Sequence, residues 1–395
     1  MHPIGYVVHV KSPGRSGGET RSYQIAQALG VTGAEVHLYG QIDHSFEWFH
    51  RVYAHGLKRP VPFGIMQLLR DFSKNDVRVV IERYHFPPFN PGFFAQRVRN
   101  RPLIFEVHGF PIDEYKMITR HPGDNVHPVT KLVTRLPTVA WERLQMAMFQ
   151  RAAHFIVTSS GTKDILAGMG ISQEKVSVIY NRVDPSLFDP VGREQVACRA
   201  VLNLPSDSQL VLFAGTFTEE LSSVFQAASV VTDKRPSVCF IFAVNGQVAL
   251  LQAMAHTHGL NDRYFRIIPP VSHQQMPNLL TAVDVVLAPY SLHSERFRKG
   301  FHYSPLKVME ALAMEKPIVT IDATEMRTVF GNIPNVQFVE SGSREEWVEG
   351  ILRALDMSQD PILAQGRAFV MNGYCWQDAA QMYHEIIQSV EDKLR

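Results

Sequence analysis

Residues 304–320 read SPLKVMEALAMEKPIVT, and their pattern specifies a loop, a helix and a strand in succession. Ser304 suits the N-cap of a helix, and Pro305 suits its first helical position. Apolar residues then recur at helical spacing, at positions 306, 309, 312 and 313. Pro317 ends the helix, and residues 318–321 (IVTI) have the composition of a short buried strand. A helix that leads into a buried strand is typical of an α/β sheet.

Two charged residues of this helix indicate an anion site. Lys307 lies in the first turn, where the helix dipole and the free N–H groups favour anions over cations. A lysine is favourable there when it shares an anion, usually phosphate, with the helix N-terminus. Glu310 lies about one turn further on the same face, and its carboxylate suits the hydroxyls of a ribose. The alternative is an ordinary i,i+3 ion pair between Lys307 and Glu310 on a solvated face.

The stretch resembles the donor-site signature of the retaining glycosyltransferases of family 4, which have the GT-B fold. The family pattern is roughly P-x-K-x-x-E-x-x-A-x-G-x-P-V-V. Glu315 stands where glycine is common, and the matching residues are Pro305, Lys307, Glu310, Ala313, Pro317 and Val319. The resemblance implies an α/β protein of GT-B architecture: two Rossmann-like domains facing across a cleft, with a C-terminal helix that crosses back to the N-terminal domain.

Strand-like and helix-like segments alternate along the whole chain, which favours parallel sheets covered on both faces. We predict a Rossmann-like acceptor-binding domain in residues 1–190, a nucleotide-sugar-binding domain in residues 191–375 and a final helix in residues 376–395. The strands predicted for the first domain are residues 4–10, 35–39, 77–84, 103–107, 154–158 and 176–180. Those predicted for the second domain are residues 210–213, 238–243, 266–268, 285–288, 318–321 and 336–339.

The composition is that of a soluble globular protein. The chain has 395 residues, of which 45% are hydrophobic and 19% charged, so it is long enough for two domains with real cores. A net charge of +1 argues against a dedicated nucleic-acid binder. The cysteines are far apart and lack metal-ligand spacing, and the sequence shows neither a signal peptide nor a transmembrane stretch. We therefore expect a cytoplasmic protein.

A glycine-rich loop follows the first predicted strand. Glycine lets the backbone approach a ligand closely, although a tight structural turn is an equal alternative. By resemblance, Gly17 and Gly18 close over the donor phosphates, whereas Arg15 and Glu19 face the acceptor.

Two further candidates lie at strand ends, outside which open α/β sheets bind their ligands. His108 follows the fourth predicted strand and resembles the family's histidine that contacts the transferred sugar. The alternative is a structural histidine whose hydrogen bonds are satisfied within the fold. Arg83 ends the third predicted strand, where it either lines the acceptor side of the cleft or pairs locally with Glu82.

The second domain departs from the family pattern near Gly215. Family members usually carry an arginine just after this glycine and a lysine one turn later, and both bind the donor diphosphate. Here residues 216–220 are TFTEE, whose two carboxylates would repel a diphosphate. Arg298 and Lys299, just before the 304–320 stretch, are candidate replacements, and a solvated basic loop is the alternative.

The resemblance alone adds the other residues of the donor site. His302 stands where many members have a glutamate that holds sugar hydroxyls, and with Tyr303 it offers hydrogen bonds for a different sugar or geometry. Loops containing Asn245 and Val271 would receive the nucleotide base through main-chain groups. The helix entrance contributes Ser304, Pro305 and Leu306.

Cations and apolar side chains are mixed between residues 48 and 72. A basic and aromatic surface of this kind can lie on an anionic membrane, which would make the protein peripheral on the inner face. An ordinary helix-loop-helix of the first domain is the alternative. Flotation with anionic liposomes separates the two.

These features predict an enzyme that moves a sugar from a nucleoside diphosphate sugar to an acceptor hydroxyl, with retention of configuration. We expect no metal, because no Asp-x-Asp pair is visible and cationic side chains would neutralise the diphosphate. The rivals are a nucleotide-sugar 2-epimerase and a non-catalytic GT-B subunit that supports a partner transferase. Titration with UDP, GDP and ADP tests the second rival, which predicts no binding.

Overall fold

The computed structural model of the chain describes residues 2–12, 17–42, 51–58, 61–97, 100–112, 138–215, 218, 220–244, 246–294, 297 and 300–393. The chain folds into two compact units. The first comprises Met1–Tyr180, His302–Ser304 and Trp376–Arg395, and the second comprises Asn181–Phe301 and Pro305–Cys375.

The first unit is built on a parallel sheet. Its strands are β1 (Ile4–Ser12), β2 (Val36–Ile42), β3 (Val52–Gly56), β4 (Val79–Arg83), β5 (Leu103–Val107), β6 (His154–Val157) and β7 (Val176–Val178). Its described helices are α1 (Gly17–Val31), α2 (Val61–Lys74), α3 (Pro91–Gln96), α4 (Thr138–Phe149), α5 (Ser160–Gly168) and the last helix of the chain. The strand order is β3-β2-β1-β4-β5-β6-β7, so the winding direction reverses between β1 and β4. Ligands of doubly wound sheets bind outside the carboxyl ends of strands at such a reversal.

The second unit repeats this architecture. Its strands are β8 (Gln209–Gly215), β9 (Val238–Val244), β10 (Phe265–Ile268), β11 (Val285–Ala288), β12 (Ile318–Ile321) and β13 (Val336–Val339), in the order β10-β9-β8-β11-β12-β13. Its described helices are α6 (Gln195–Val201), α7 (Leu221–Lys234), α8 (Val248–Thr257), α9 (Met276–Ala282), α10 (Leu306–Ala313), α11 (Thr324–Phe330), α12 (Arg344–Asp356) and α13 (Ala364–Met371).

The central strands are apolar because helices cover both faces of each sheet. All seven residues of β9 (VCFIFAV) are buried, and so are all five residues of β5 (LIFEV). The buried glutamate of β5, Glu106, therefore requires polar partners inside the protein.

The last helix, α14 (Trp376–Asp392), packs on α1 in the first unit. Its buried side chains recur at helical spacing, at Trp376, Ala379, Ala380, Tyr383, His384, Ile387 and Val390. One of them, Tyr383, reaches the buried glutamate of β5.

Two predictions about local structure were wrong. The basic and aromatic region contains the edge strand β3 and then α2, rather than two helices. Ser304 is not the N-cap, because Pro305 keeps an extended backbone and the first helical residue is Leu306.

None of the helices described here is both long and apolar enough to cross a membrane. The exposed large apolar side chains of α2 are Phe63 and Met66. The membrane contact stays a prediction.

Candidate functional site

The ammonium group of Lys307 lies over two aromatic rings, that of Phe213 in β8 and that of Tyr290 after β11. Nζ lies 4.9 Å from the ring centroid of Phe213 and 5.4 Å from that of Tyr290. A Cβ atom added at Gly215 would lie 3.1 Å from Nζ, so the glycine makes room for the lysine. Within the described residues, no carboxylate oxygen lies at ion-pair distance from Nζ. Lys307 is therefore not half of a surface ion pair with Glu310.

The surroundings of Lys307 favour an anionic ligand. Burial lowers the pKa of Lys307 to about 8, and the negative charge of Glu310 opposes this only in part. A buried ammonium group is stabilised by a nearby anion, which would raise its pKa again. The N–H groups at the start of α10 lie in the same turn and have no side-chain cap. Lys307 and these N–H groups together supply the positive charge and the hydrogen-bond donors that a phosphate requires.

Glu310 lies on the buried face of α10. The residue is 8% exposed, and its Oε1 lies 3.2 Å from Nε2 of His273. The imidazole of His273 packs at 5.2 Å on the ring of Phe188. The carboxylate is thus held in one orientation by a histidine that the sequence did not indicate.

Glu220 does not oppose a diphosphate in the way that its sequence position suggested. Its carboxylate accepts hydrogen bonds from the N–H of Gly342 (2.7 Å), Oγ of Ser341 (2.8 Å) and Nε1 of Trp347 (2.8 Å). With 3% exposure it anchors the loop before α12 inside the second unit. Residues 216, 217 and 219 lie outside the described part of the chain.

The other predicted donor residues fall in three groups. Pro305 is the buried N-cap of α10, Leu306 begins the helix, and Val271 packs against the core of the second unit. Tyr303 and Ser304 are half-buried and belong to the first unit. The predicted residues that lie outside the described ones are Asn245, Arg298 and Lys299.

His302 belongs to the first unit, where it is buried. Its carbonyl oxygen accepts hydrogen bonds from Oγ of Ser159 (2.8 Å) and Oγ1 of Thr162 (3.3 Å). Its ring lies edge-on to Phe110, with centroids 6.0 Å apart. These contacts give His302 a structural function in the first unit.

In the first unit, predicted residues meet at the carboxyl ends of β4 and β5. Nε2 of His108 is buried and lies 3.1 Å from Oε1 of Glu106, but it makes no hydrogen bond there. Burial lowers the pKa of His108 to about 4, with the positive charge of Arg83 acting in the same direction and Glu106 opposing. The imidazole is therefore neutral near pH 7 and can form hydrogen bonds without carrying charge.

Glu82 is the second buried carboxylate at this edge. It accepts hydrogen bonds from the N–H groups of Gly92 (2.9 Å) and Phe93 (2.7 Å), and Nε2 of His9 lies 3.3 Å away. Burial raises its pKa to about 8, although the two N–H groups lower it. The carboxylate of Glu82 is thus held by Gly92, Phe93 and His9. The neighbouring Arg83 donates instead to Oγ of Ser22 at 3.5 Å.

The glycine-rich loop is described only in part. Gly17, Gly18 and Glu19 form the first turn of α1, whereas Arg15 lies outside the described residues.

Family comparisons match both units. Residues 15–187 match the family "Glycosyltransferase Family 4", and residues 208–357 match "Glycosyl transferases group 1". A D-inositol 3-phosphate glycosyltransferase of Xylanimonas cellulosilytica is 25% identical over 311 residues, which cover 76% of this chain and 69% of the relative. The enzyme of the same name from Catenulispora acidiphila is 23% identical over 357 residues, covering 85% and 79%.

The chain belongs to the family 4 glycosyltransferases of GT-B fold.

Solved structures agree on the fold. A glycosyltransferase from Rickettsia africae superposes with a TM-score of 0.73 at 15% identity, covering 98% of each chain. HepE of Anabaena in complex with UDP-glucose superposes with a TM-score of 0.71 at 15% identity, covering 100% of this chain and 99% of the other. The predicted GT-B class is confirmed.

Several residues of this glycosyltransferase escaped sequence reasoning. Phe213 could have been found, because it lies two positions before Gly215 and so on the same face of β8. Tyr290, His273 and His9 come from other strands or loops, and no local pattern marks them. Their approach to Lys307, Glu310 and Glu82 depends on tertiary structure.

Proposed function

We propose that the protein transfers a sugar from a nucleoside diphosphate sugar to an acceptor hydroxyl, with retention of anomeric configuration. The donor binds the second unit and the acceptor binds the first. The observation that carries the proposal is the charged Lys307, held on two rings beside the uncapped N-terminus of α10.

The leaving diphosphate gains negative charge as the glycosidic bond breaks. Lys307 and the N–H groups of α10 stabilise that charge, and each well-placed donor of this kind is worth about 3 kcal/mol of barrier. The proposal gives this task to cationic side chains rather than a metal, with Arg298 and Lys299 as further candidates. Transfer that is insensitive to EDTA is the expected result.

Other residues hold the ends of the donor. Glu310, oriented by His273, accepts hydrogen bonds from the ribose hydroxyls. His108, neutral near pH 7, contacts the transferred sugar. Gly17 and Gly18 close over the donor, while Arg15, Glu19 and Arg83 face the acceptor.

A donor screen tests the proposal. UDP-, GDP- and ADP-sugars are incubated with the protein, with and without D-inositol 3-phosphate, for which the relatives are named. We expect slow release of nucleoside diphosphate from one donor, faster release when an acceptor is present, and an α- or β-linkage in the product that matches the donor by NMR. Release of a 2-epimer without transfer would instead favour the epimerase.

Lys307→Ala is the decisive variant of the screen. It is expected to abolish thermal stabilisation by the donor, whereas Lys234→Ala, on the exposed last turn of α7, should leave it intact. Equal stabilisation of both variants would mean that the phosphates lie elsewhere. Absence of binding of any nucleotide sugar to the unmodified protein would favour the non-catalytic subunit.

A further inference from the structure

A cluster of polar side chains is fully buried around Glu106 in the first unit. Tyr6 of β1 donates to Oε2 at 2.5 Å, whereas Tyr383 of α14 donates to Oε1 at 2.6 Å. Nε of Arg21, in α1, donates to the same Oε1 at 2.8 Å. All four residues are 0% exposed, so none of these bonds is shared with bulk solvent.

The oxygen Oε1 has no acceptor capacity left for His108. A carboxylate oxygen offers two lone pairs, and Arg21 and Tyr383 occupy both. Nε2 of His108 lies 3.1 Å from this oxygen but makes no hydrogen bond to it. Since Nε2 is buried there, Nδ1 is the ring nitrogen left for a ligand.

We propose that Tyr383 is a positioning residue for His108 and acts through Glu106. By sharing Oε1 with Arg21, it stops the carboxylate from capturing Nε2 as a charged pair, and so keeps the imidazole neutral with Nδ1 available. The task of His108 rests on the proposed function, but its coupling to Tyr383 does not. The last helix thus sets the protonation state of His108, which directly follows β5.

The charges that face His108 give the direction of the effect. Burial and the cations Arg83 and Arg21 lower the pKa of His108, whereas Glu106 raises it. Removing the Tyr383 hydroxyl frees a lone pair on Oε1 for Nε2–H. The charged imidazole then gains a hydrogen bond to an anion, so its pKa rises.

The test is an NMR titration of His108 in the full chain, with the signal assigned by its loss in His108→Gln. We expect Tyr383→Phe to raise the pKa of His108 by about one unit or more, since a charge-assisted hydrogen bond favours the charged form. In turnover, the same variant should lower kcat on the acid side and leave the KM for the donor unchanged.

Two variants control the titration. Tyr84→Phe removes another buried hydroxyl of the same unit, which donates to Oε1 of Gln145 at 2.8 Å, and it should leave the titration of His108 unchanged. Tyr6→Phe removes the hydroxyl on the other oxygen of Glu106 and should shift the pKa less than Tyr383→Phe.

An unchanged His108 titration in folded Tyr383→Phe would overturn the proposal, and so would equal shifts in Tyr6→Phe and Tyr383→Phe. The NMR readout needs no substrate. If the protein fails the donor screen but Tyr383→Phe still shifts the pKa of His108, the proposed function is wrong and the coupling between Tyr383 and His108 is confirmed.

Discussion

Gly215 determines where the ammonium group of Lys307 can lie. Its φ is +150°, and a Cβ atom there would meet Nζ at 3.1 Å. Glycine suits this position for two reasons. It adopts a backbone conformation that other residues rarely adopt, and it allows the close approach of a cation. Both the glycine and the lysine were predicted as donor-site residues, but their contact was not.

Gly215→Ala should weaken donor binding by displacing Nζ from the two rings. We expect about a tenfold loss of affinity, which corresponds to about 1.4 kcal/mol, by calorimetric titration with the donor. Gly259→Ala is the matched control, because Gly259 also has a positive φ (+75°) and its added Cβ would meet nothing within 4 Å. Equal losses of affinity in the two variants would show that backbone strain, not crowding of Lys307, is responsible.

At this scale the sequence singles out individual residues, but it does not show what they contact. Lys307 could be found because a cation in the first turn of a helix is unusual. The partner of Glu310 could not, because His273 lies 37 positions away along the chain. The carboxylate of Glu220 was expected to repel phosphate, and its binding to Trp347 depends on packing 127 positions away.

At the scale of elements, α10 ends in a Schellman motif around a glutamate. Glu315 has a φ of +55°, the N–H of Lys316 donates to the carbonyl of Ala311 (2.9 Å), and that of Glu315 donates to the carbonyl of Leu312 (3.1 Å). The family pattern has glycine here. The chain therefore keeps the helix end that glycine favours while carrying a residue that strains it.

Glu315→Gly should stabilise the second unit by about 1 kcal/mol, because glycine adopts the left-handed conformation without a steric penalty. Chemical denaturation measures the change. Glu349→Gly, in the middle of α12, should have the opposite sign and cost about 1 kcal/mol. Destabilisation by both variants would mean that the side chain of Glu315 contributes more than its backbone costs.

Strands that carry an apolar run were predictable, including the edge strands β7, β10 and β13, whereas the edge strand β3 was not. Every run assigned to a strand in the sequence forms one, and the central strands are continuously apolar because both of their faces are buried. β3 (VYAHG) is short, with only its first residue buried, and it lies in a region rich in cations. Its identity as a strand depends on pairing with β2, from Val36↔Val52 to Gly40↔Gly56.

At the scale of the whole molecule, the chain passes between the two units four times, after Tyr180, Phe301, Ser304 and Cys375. The domain boundaries predicted from the sequence lie after residues 190 and 375, and the first and last crossings follow Tyr180 and Cys375. The middle two could not be predicted, because the three-residue insertion His302–Ser304 depends on Ser159 and Thr162, about 140 positions earlier in the chain. The family 4 signature begins at Pro305, directly after these three residues, and so it gives no sign of the change of unit.

The central claim is that a diphosphate binds beside Lys307 at the start of α10. The most direct measurement is calorimetric titration of the full chain and of Lys307→Met with UDP, GDP and ADP, near pH 7 and near pH 8.5.

A pKa of about 8 means that the ammonium group of Lys307 loses its proton as the pH rises through that value, and diphosphate binding becomes weaker as the positive charge is lost. We expect the preferred nucleotide to bind the unmodified protein about fourfold more weakly at the higher pH, which is the ratio of the protonated fractions. Lys307→Met should bind weakly at both values and lack this change, which also controls for titration of the nucleotide itself. Equal affinity of the two proteins near pH 7 would contradict the account.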